Sequence, residues 1–595
     1  MARNYFDLSN PRHLEEIHEL LMCADEEDPM LTENLGDESD IDSQDEVEER
    51  EDDSATEQDD DNTDEDEEGK HKNTRNVYVG RDNTTMWNKK PPKKRRRLAP
   101  HNIVTHLPGV IGHAKNAKTA VECWNALFTE DILDAIVRYT NQYIDTVQEH
   151  FSRARDISHT DVTEIRAFIG LLYLAGAYRG NRQSLEELWG TEGDGVEKFS
   201  LVMSLKRFKN LIRCLRFDDR TTRSQRKELD RLAPIREVFE KFVENCQKSY
   251  CAGENVTIDE MLPGFRGRCV FRQYIPSKPN KYGIKHFALV DAKMIYTLNM
   301  EVYVGQQPAG PFCVSNKPSE VVKRLAKPVF GSGRNITTDN WFTDFDLIDY
   351  LKTKKLSLVG TVRKNKRQIP SDFVDVKRRE QHSSLFGFND GKVLVSYVPR
   401  LNKNVILVSS LHNDDAIDPQ SGDKHKPEIV SFYNSTKGGV DTADQMCASY
   451  SVSRNTKRWP MVIFYTMLNV GGINSQVIYL GNQLEKMRRR VYLKSLAHQL
   501  VLGELHRRSM KTIGIPSSLQ SRLKRFIPTE GREESPPTSH PKRRRCITCT
   551  AETGRRRMSN YECKKCQSAI CLPHANMVCQ LCFSERECVA PSNSE

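Results

Sequence analysis

The sequence predicts a multidomain α/β protein, and three observations support this fold class. The chain has 595 residues, which is too many for a single hydrophobic core. Strand-like runs such as residues 284–290 and 296–304 dominate the stretch 254–364, whereas apolar residues at helical spacing dominate both flanks. Eight of the 16 Cys lie within residues 546–588, which indicates a separate Cys-rich domain.

The helical flanks begin near residue 107. Thr129 precedes two acidic residues, Glu130 and Asp131, and this pattern predicts the start of a helix whose apolar residues continue through Tyr143. Basic and apolar positions alternate at helical spacing in residues 206–213 and again after residue 484. We expect the apolar stripes to form core and the basic faces to be available to DNA.

The net charge of +7 is unevenly distributed. Residues 37–68 contain 20 Asp and Glu and one Arg, a local charge of −19, so the remaining residues carry +26. An acidic block of this kind repels itself and cannot bury enough apolar surface to fold. We therefore predict a disordered N-terminal region over residues 1–107. The block is either a solvated tail or a functional one, which could shield the basic body from nonspecific DNA or be tuned by phosphorylation at Ser39 and Ser43.

The sequence also predicts where the protein resides. It has no signal-peptide pattern and no run of 18 apolar residues, so we expect a soluble intracellular protein without a membrane partner. Residues 91–97 read PPKKRRR, a basic run that predicts nuclear import, and residues 542–545 form a second basic cluster. The Cys outside 546–588 are scattered, as expected for buried thiols in a reducing compartment.

Three aspartates in distinctive surroundings are the candidate catalytic residues. Asp259 shares a strand face with Thr257, and Asp339 repeats that alternation on a second strand-like run. Asp441 follows a Gly-Gly pair, and Asp444 comes three residues later, on the same face if Asp441 opens a helix. Such carboxylates can hold two divalent cations about 3.5–4 Å apart, an arrangement that suits phosphodiester chemistry.

The order of the acid-bearing runs favours an RNase H-like fold. A β-meander carries the first acid on an early strand, and a later strand carries the second. Positive residues Arg266, Arg268 and Lys281 lie between them, and residues 361–367 add four more cations. Cations of this kind neutralise backbone phosphates without reading bases. Residues 366–430 then read as a β-rich insertion with a hairpin at 401–404.

The Cys-rich segment carries the spacing of zinc sites. Four ligand pairs, each separated by two residues, are enough for two tetrahedral sites. Spacing alone leaves the pairing open between consecutive and interleaved sites, although interleaving of the first pair with the third and the second with the fourth is sterically reasonable. Cys588 remains as a free thiol. The predicted ligands are Cys546, Cys549, Cys563, Cys566, Cys571, His574, Cys579 and Cys582.

From about residue 108 to 583 the chain resembles the piggyBac family of DNA transposases. The resemblance depends on a set of motifs that is highly specific only when taken together. They are TIDE at 257–260, GFRGRC at 264–269, YIPSKP at 274–279, KYGIK at 281–285, ITTDNWFT at 336–343, GTVR at 360–363, YNSTKGGVDTADQM at 433–446 and RWPM at 458–461.

The resemblance implies a domain organisation. An RNase H-like catalytic domain is interrupted by an insertion and flanked by a helical dimerisation and DNA-binding domain in two segments, and a cross-braced zinc domain binds inverted repeats. The implied divisions are helical 108–253 and 451–530, catalytic 254–365 and 431–450, insertion 366–430, linker 531–545, zinc domain 546–583 and tail 584–595.

The resemblance also implies a mechanism and its residues. Asp259, Asp339 and Asp441 match the family's metal-binding triad, with two Mg²⁺ per active site, and Asp444 matches its auxiliary acid. The zinc domain takes two Zn²⁺. Trp459 matches an aromatic near the transposon end, and Arg363, Lys366 and Arg367 are expected to hold phosphates. The implied activity is cut-and-paste transposition at TTAA sites through hairpinned ends, by a homodimer or higher oligomer on double-stranded DNA.

Two other functions remain open at the sequence level. A host-adopted, transposase-derived protein could bind DNA for regulation, with catalysis incidental, although the intact acids weigh against it. Alternatively, residues 546–582 could bind a histone tail as a chromatin reader. The basic flank of that segment favours an anionic partner over a basic peptide.

Overall fold

The computed structural model describes residues 11–22, 76–92, 103–150, 157–180, 183–190, 195–276, 278–511, 514–526, 544–553, 558–559, 561 and 568–575. The chain divides into two compact units, Met1–Phe526 and Ile527–Glu595.

A ten-stranded mixed sheet lies at the centre of the first unit. Its strands follow the order β1-β2-β12-β13-β14-β11-β10-β5-β8-β9, and two short pairs, β3 with β4 and β6 with β7, lie outside it. The strands are β1 Val77–Val79, β2 Met86–Asn88, β3 Gly109–Val110, β4 Tyr250–Cys251, β5 Asn255–Met261, β6 Arg272–Tyr274, β7 Tyr282–Ile284, β8 His286–Asp291, β9 Thr297–Val302, β10 Asn335–Thr338, β11 Ser357–Thr361, β12 Ser384–Asn389, β13 Lys392–Arg400 and β14 Lys403–Ser409.

The acid-bearing strands lie next to each other in this sheet. β5, β8 and β9 form an antiparallel meander, and β10 then pairs parallel with both β5 and β11. The strands of this meander are mostly buried, and β10 is buried along its whole length. The mixed α/β prediction is confirmed, and this strand order is the one on which the RNase H-like prediction depends.

Helices pack around the sheet and form a large helical part of the unit. Within the first unit they are α1 Pro11–Met22, α2 Ala120–Asn125, α3 Glu130–Val147, α4 Val162–Ala177, α5 Leu185–Leu188, α6 Glu197–Val202, α7 Leu205–Cys214, α8 Arg223–Lys227, α9 Arg236–Ser249, α10 Pro318–Leu325, α11 Phe345–Thr353, α12 Ser371–Val374, α13 Glu428–Thr436, α14 Gly439–Ser449, α15 Trp459–Gly481, α16 Arg489–Met510 and α17 Ser517–Leu523. α3 begins at Glu130, as the Thr129 pattern predicts.

Helix α15 forms the centre of the helical core. Among the described residues, α15 is the one helix that is long and apolar enough to cross a membrane by length and composition. Its most apolar 18-residue window is, however, completely buried in the fold. Asn474 on this helix is fully buried and accepts from the backbone N–H of Thr297 at 2.9 Å. The contact joins α15 to β9, so the helical core and the sheet form one continuous interior.

The prediction that residues 1–107 are disordered is wrong for two segments. α1 buries Ile17 and Leu21, and β1 and β2 form a hairpin whose Trp87 is completely buried. The acidic composition dominated the prediction, but its densest run is residues 37–68, and apolar side chains outside that block support local structure. The acidic block and residues 93–97 of the basic run lie outside the described residues.

The predicted insertion is continuous with the central sheet. β14 pairs antiparallel with β11, with Gly360 opposite Val408, so β12, β13 and β14 extend the same sheet. The hairpin predicted at 401–404 is confirmed, with Asn402 at a φ of 62° between β13 and β14. Residues 366–430 are therefore not separate from residues 254–365, because hydrogen bonds along β11 join the two segments.

Candidate active site

The strand register brings Asp259 and Asp339 side by side. Asp259 lies on β5, and Asp339 follows the last residue of β10. Ile258 pairs with Thr338 in the parallel ladder, so the next position of each strand carries an aspartate. Asp339 Oδ1 accepts from the backbone N–H of Trp341 at 2.9 Å, which fixes the turn that leaves the strand.

Close contact between the sheet and the α13–α14 junction brings Asp441 to the same face. Thr257 Oγ1 donates to the carbonyl of Thr436 at 2.6 Å, and the hydroxyls of Thr337 and Thr436 lie 2.8 Å apart. A Cβ on Gly439 would approach Thr257 Oγ1 to 2.7 Å, so only glycine fits there. Asp441 then lies in the first turn of α14, where the helix dipole favours a carboxylate.

Tyr433 lies near all three aspartates. Burial is the main cause that raises the pKa of its hydroxyl to about 12, and the charges of Asp339, Asp259 and Asp441 raise it further. The three carboxylates thus contribute to one electrostatic environment. In the described part of the chain, however, the carboxylate oxygens of these three aspartates do not form a group in which all lie within 4.8 Å of one another, as the ligand atoms of a single ion do.

Lys278 lies between the helix-borne and the strand-borne acids. Its Nζ donates to Asp441 Oδ1 at 2.9 Å and to the backbone carbonyl of Glu260 at 3.0 Å. Burial alone would lower the pKa of Lys278, but the nearby carboxylates of Asp259 and Asp441 raise it overall. Sequence reasoning missed this residue, although it lies within the YIPSKP motif, because that motif does not show which acid its lysine meets.

The strand-borne acids repel each other's charge. Burial raises the pKa of Asp259 well above its usual value, and the charges of Glu260 and Asp339 add to the effect. Burial is also the main reason that the pKa of Asp339 is raised to about 6, with Glu260 contributing and Arg363 opposing it. Carboxylate oxygens are the donors that hard divalent cations prefer, so this site suits a divalent cation.

Asp444 lies one turn after Asp441 on α14. Burial raises the pKa of its carboxyl, whereas Lys278 and the backbone N–H of Leu262, which donates to it, lower the pKa. Asp444 thus connects α14 to the residue that follows β5. The position suits an auxiliary acid that holds the helix in place near the strand-borne pair.

The predicted DNA-contact residues lie in different surroundings. Arg266, Arg268 and Lys281 are exposed near β6 and β7, and Arg363 and Arg367 are exposed in the segment after β11. Lys366 forms an ion pair with Asp344. The set therefore includes five exposed cations that are available to phosphates, and Arg363 lies close enough to Asp339 for its charge to lower the pKa of that carboxyl.

Trp459, the aromatic expected near the transposon end, is largely buried. Its side chain is 8% exposed, and its ring packs edge-on against Phe271 at 4.9 Å between ring centres. In this structure Trp459 is a core residue at the start of α15. This burial was not predicted, because a Trp before Pro460 at a helix start is compatible with either a buried or an exposed side chain.

The second unit contains a cluster of metal-ligand side chains. It includes β15 Arg544–Arg545, β16 Met558–Ser559 and α18 Ile547–Thr553. Ligand atoms of Cys546, Cys549, Cys571 and His574 all lie within 4.8 Å of one another. Cys549 Sγ is 3.5 Å from Cys571 Sγ and 3.3 Å from His574 Nδ1. The first predicted ligand pair therefore meets the third, as interleaving requires.

The donor set of this cluster suits a thiophilic metal. The backbone N–H groups of Cys549 and Cys571 donate to Cys546 and lower the pKa of its thiol to about 5, which favours the thiolate that binds metal. Three sulfurs and one imidazole nitrogen form a set typical of structural zinc. The remaining predicted ligands and the leftover thiol lie outside the described residues; they are Cys563, Cys566, Cys579, Cys582 and Cys588.

Known proteins are similar to this chain in sequence, and a solved structure is similar to it in fold. A protein-family model described as Transposase IS4 matches residues 119–476. A cryo-EM structure of a piggyBac transposase synaptic complex with hairpin DNA is 36% identical, with a TM-score of 0.67, and the match covers 80% of this chain and 100% of that chain. The chain belongs to the piggyBac family of transposases.

Human relatives of this piggyBac-family chain are more distant. PiggyBac transposable element-derived protein 3 of Homo sapiens is 23% identical over 478 residues, which covers 76% of this chain and 75% of the relative. PiggyBac transposable element-derived protein 5 of Homo sapiens is 20% identical over 385 residues, with 61% and 71% covered. The family thus includes both a transposase and proteins named as derivatives of transposable elements.

Proposed function

We propose that the protein is a cut-and-paste DNA transposase. It binds the terminal inverted repeats of its element, nicks and excises the element through hairpinned ends, and joins the 3′-OH ends to TTAA sites. The observation that carries the proposal is the arrangement of Asp259, Asp339 and Asp441 around one face of the mixed sheet. Support for hairpin chemistry comes from the related piggyBac transposase, which was solved in complex with hairpin DNA.

Each acid has a distinct role in the proposed RNase H-like site. Asp259, Asp339 and Asp441 would hold the two Mg²⁺ ions, which activate the attacking oxygen and stabilise the leaving oxygen of a phosphodiester. Asp444 holds α14 against the end of β5, so that Asp441 keeps its position over the strands. Every proposed reaction is an in-line displacement at phosphorus, so one carboxylate cluster serves all of them.

The cations and the second unit divide DNA recognition between them in this proposal. Arg266, Arg268, Lys281, Arg363 and Arg367 are exposed and bind backbone phosphates near the acids. The Cys-rich unit holds two Zn²⁺, one of them at Cys546, Cys549, Cys571 and His574, and reads the terminal repeats. The protein acts in the nucleus as a dimer or higher oligomer on DNA.

A host-adopted regulatory DNA-binding protein is the second candidate. The observation that favours it is the set of human relatives, which are named as transposable element-derived proteins. Retention of every acid in the candidate site supports the enzyme instead, because a role limited to DNA binding does not require buried, mutually repelling carboxylates.

An excision assay distinguishes the two functions. A donor plasmid carries a marker between terminal repeats taken from the same genome, and the repaired donor junctions are sequenced. The transposase proposal expects precise restoration of one TTAA, abolished in an Asp339→Asn variant and unchanged in an Asp415→Asn variant, whose exposed carboxylate is not one of the candidate acids. Repeat binding without excision by the wild-type chain would instead support the regulatory function.

A further inference from the structure

The N-terminal hairpin, residues 76–92, binds the backbone of the basic loop, residues 363–369. Arg81 Nε donates to the carbonyl of Ile369 at 3.2 Å, and its Nη2 donates to the carbonyls of Lys366, at 2.9 Å, and Lys364. One guanidinium thus satisfies three backbone carbonyls of a loop that contains four cationic side chains. Charge-assisted hydrogen bonds of this kind are stronger than those between neutral groups.

Other residues of the hairpin extend these contacts along the loop. The backbone N–H of Asp82 donates to the carbonyl of Arg367 at 2.9 Å, and Trp87 Nε1 donates to the carbonyl of Gln368 at 2.9 Å. A Cβ on Gly80 would lie 2.8 Å from the Gln368 oxygen, which shows how closely the two backbones approach. The hairpin therefore contacts five carbonyls of the basic loop.

The hairpin itself is firmly attached to the sheet. Trp87 is completely buried, with its ring 5.8 Å from that of Phe345, and Tyr78 packs edge-on against Phe373 at 5.1 Å. Asn88 of β2 pairs with Phe388 of β12. These anchors come from parts of the fold other than the basic loop, so the hairpin can fix the loop relative to the sheet.

The basic loop lies beside the proposed active site. It follows directly from β11, the neighbour of β10 in the sheet, and the charge of Arg363 is felt at Asp339. Its cations Arg363, Lys364, Lys366 and Arg367 repel one another, so the loop has little tendency to hold them on one surface without outside contacts. The hairpin supplies those contacts through the backbone and leaves Arg363 and Arg367 exposed.

We propose that the N-terminal hairpin shapes the basic loop into a surface that binds DNA phosphates next to Asp339, with Arg81 as the positioning residue. The inference rests on the proposed function, because DNA is the partner of the loop there. Arg81 acts through the loop, because its Nε and Nη2 donate to three of the loop's backbone carbonyls.

Three full-length variants test this role through DNA affinity. Arg81→Ala is expected to weaken binding roughly tenfold, because it removes hydrogen bonds made by a charged group. Arg81→Lys keeps the charge but lacks the planar fork of donors, so it is expected to be nearly as weak as Arg81→Ala. Arg378→Ala removes an exposed charge that follows the basic loop in the sequence, and this variant is expected to bind DNA with an affinity within about twofold of wild type.

Two further measurements separate positioning from direct contact. Adding Arg81→Ala to a chain that already carries Arg363→Ala, Lys366→Ala and Arg367→Ala is expected to cause no additional loss of affinity, since the loop no longer carries those cations. Limited trypsin digestion with mass spectrometry is expected to show faster cleavage after residues 363–367 in Arg81→Ala alone, while cleavage after Lys511 keeps its wild-type rate.

The outcomes distinguish this inference from the proposed function. Wild-type affinity in Arg81→Ala, full rescue by Arg81→Lys, or an additive loss in the combined variant overturns the positioning role, even if the chain excises DNA. Absence of DNA binding by the wild-type chain overturns the proposed function instead, whereas faster trypsin cleavage of the loop in Arg81→Ala still identifies the hairpin as the element that fixes it.

Discussion

The aspartate site and the Cys/His cluster gather their ligand residues in opposite ways. Asp259, Asp339 and Asp441 come from positions up to 182 residues apart, and strand register and the α13–α14 junction bring them to one face. Cys546, Cys549, Cys571 and His574 come from 29 consecutive residues and approach within 4.8 Å, and among the described residues Ile570 is the apolar side chain that packs against them. The fold thus creates the first site, whereas metal binding is expected to stabilise the fold around the second.

The largest effect is expected from the three candidate catalytic aspartates, on catalysis and not on folding. Asp259→Asn, and separately Asp339→Asn and Asp441→Asn, removes a ligand charge and is expected to reduce nicking at least about a hundredfold, which corresponds to a few kcal/mol of lost transition-state stabilisation. Since folding raises the pKa of Asp259, its charged form destabilises the folded state, and Asn removes that cost. The thermal midpoint of Asp259→Asn should therefore equal or exceed that of wild type.

Nicking assays and calorimetry on the same samples provide the check. Wild-type nicking in any of these three variants contradicts the catalytic assignment, whereas a lowered midpoint in Asp259→Asn shows that the acid supports the fold. Asp444→Asn is expected to nick DNA more slowly than wild type but faster than these three variants, because α14 is displaced.

Removing metal from the second unit should affect its folding, in contrast to the aspartate substitutions, which should affect catalysis. A segment comprising residues 541–588 is too short to hold a large core, so it is expected to bind two Zn²⁺ and to unfold when a chelator removes them. The sheet of the first unit should keep its melting transition under the same treatment. Native mass spectrometry that finds one zinc or none refutes the two-site arrangement, and Cys549→Ser should lose one ion only.

The two sites also differ in how much of each could be predicted from the sequence. The alternation around Asp259 and Asp339 predicted both strands, and the two-residue spacing predicted the zinc-ligand pairs, because each signal is local. The contact of Lys278 with Asp441 depends on how a loop crosses the sheet, which no local pattern records. The hairpin around Trp87 was hidden by the acidic composition of residues 37–68, although its own residues carry apolar side chains.

Lys278 allows a more specific test of the aspartate site. Its Nζ neutralises Asp441 where a metal ion would compete for the same carboxylate, so Lys278→Met is expected to lower the Mg²⁺ concentration needed for half-maximal nicking by about threefold. Titrating Mg²⁺ in nicking assays of the variant and of Lys403→Met, an exposed lysine on β14, measures this shift. An unchanged or increased Mg²⁺ requirement in Lys278→Met contradicts competition between the lysine and the metal.

Recognition of DNA should divide between the two units. Replacing Arg363, Lys366 and Arg367 with Ala is expected to weaken binding to all DNA sequences alike. The slope of log affinity against log salt concentration should fall by the equivalent of about three phosphate contacts at most. Deleting residues 541–595 is expected to erase the preference for terminal repeats while nonspecific binding stays. Competition between repeat DNA and scrambled DNA measures both, and a tail deletion that still prefers repeats means that the zinc unit is not the reader.

The effect expected from the acidic block depends most on solution conditions. Deleting residues 37–68 removes a net charge of −19 from a chain whose remaining residues carry +26, so nonspecific DNA affinity should rise severalfold at low salt. Exposed charges are screened beyond about 10 Å at 0.1 M salt, so the gain should shrink as salt increases. The matched control replaces the block with a neutral Gly/Ser segment of equal length, which separates charge from chain length. If the neutral replacement binds nonspecific DNA as weakly as wild type at low salt, the acidic residues do not shield the basic surface, and the block is a solvated tail.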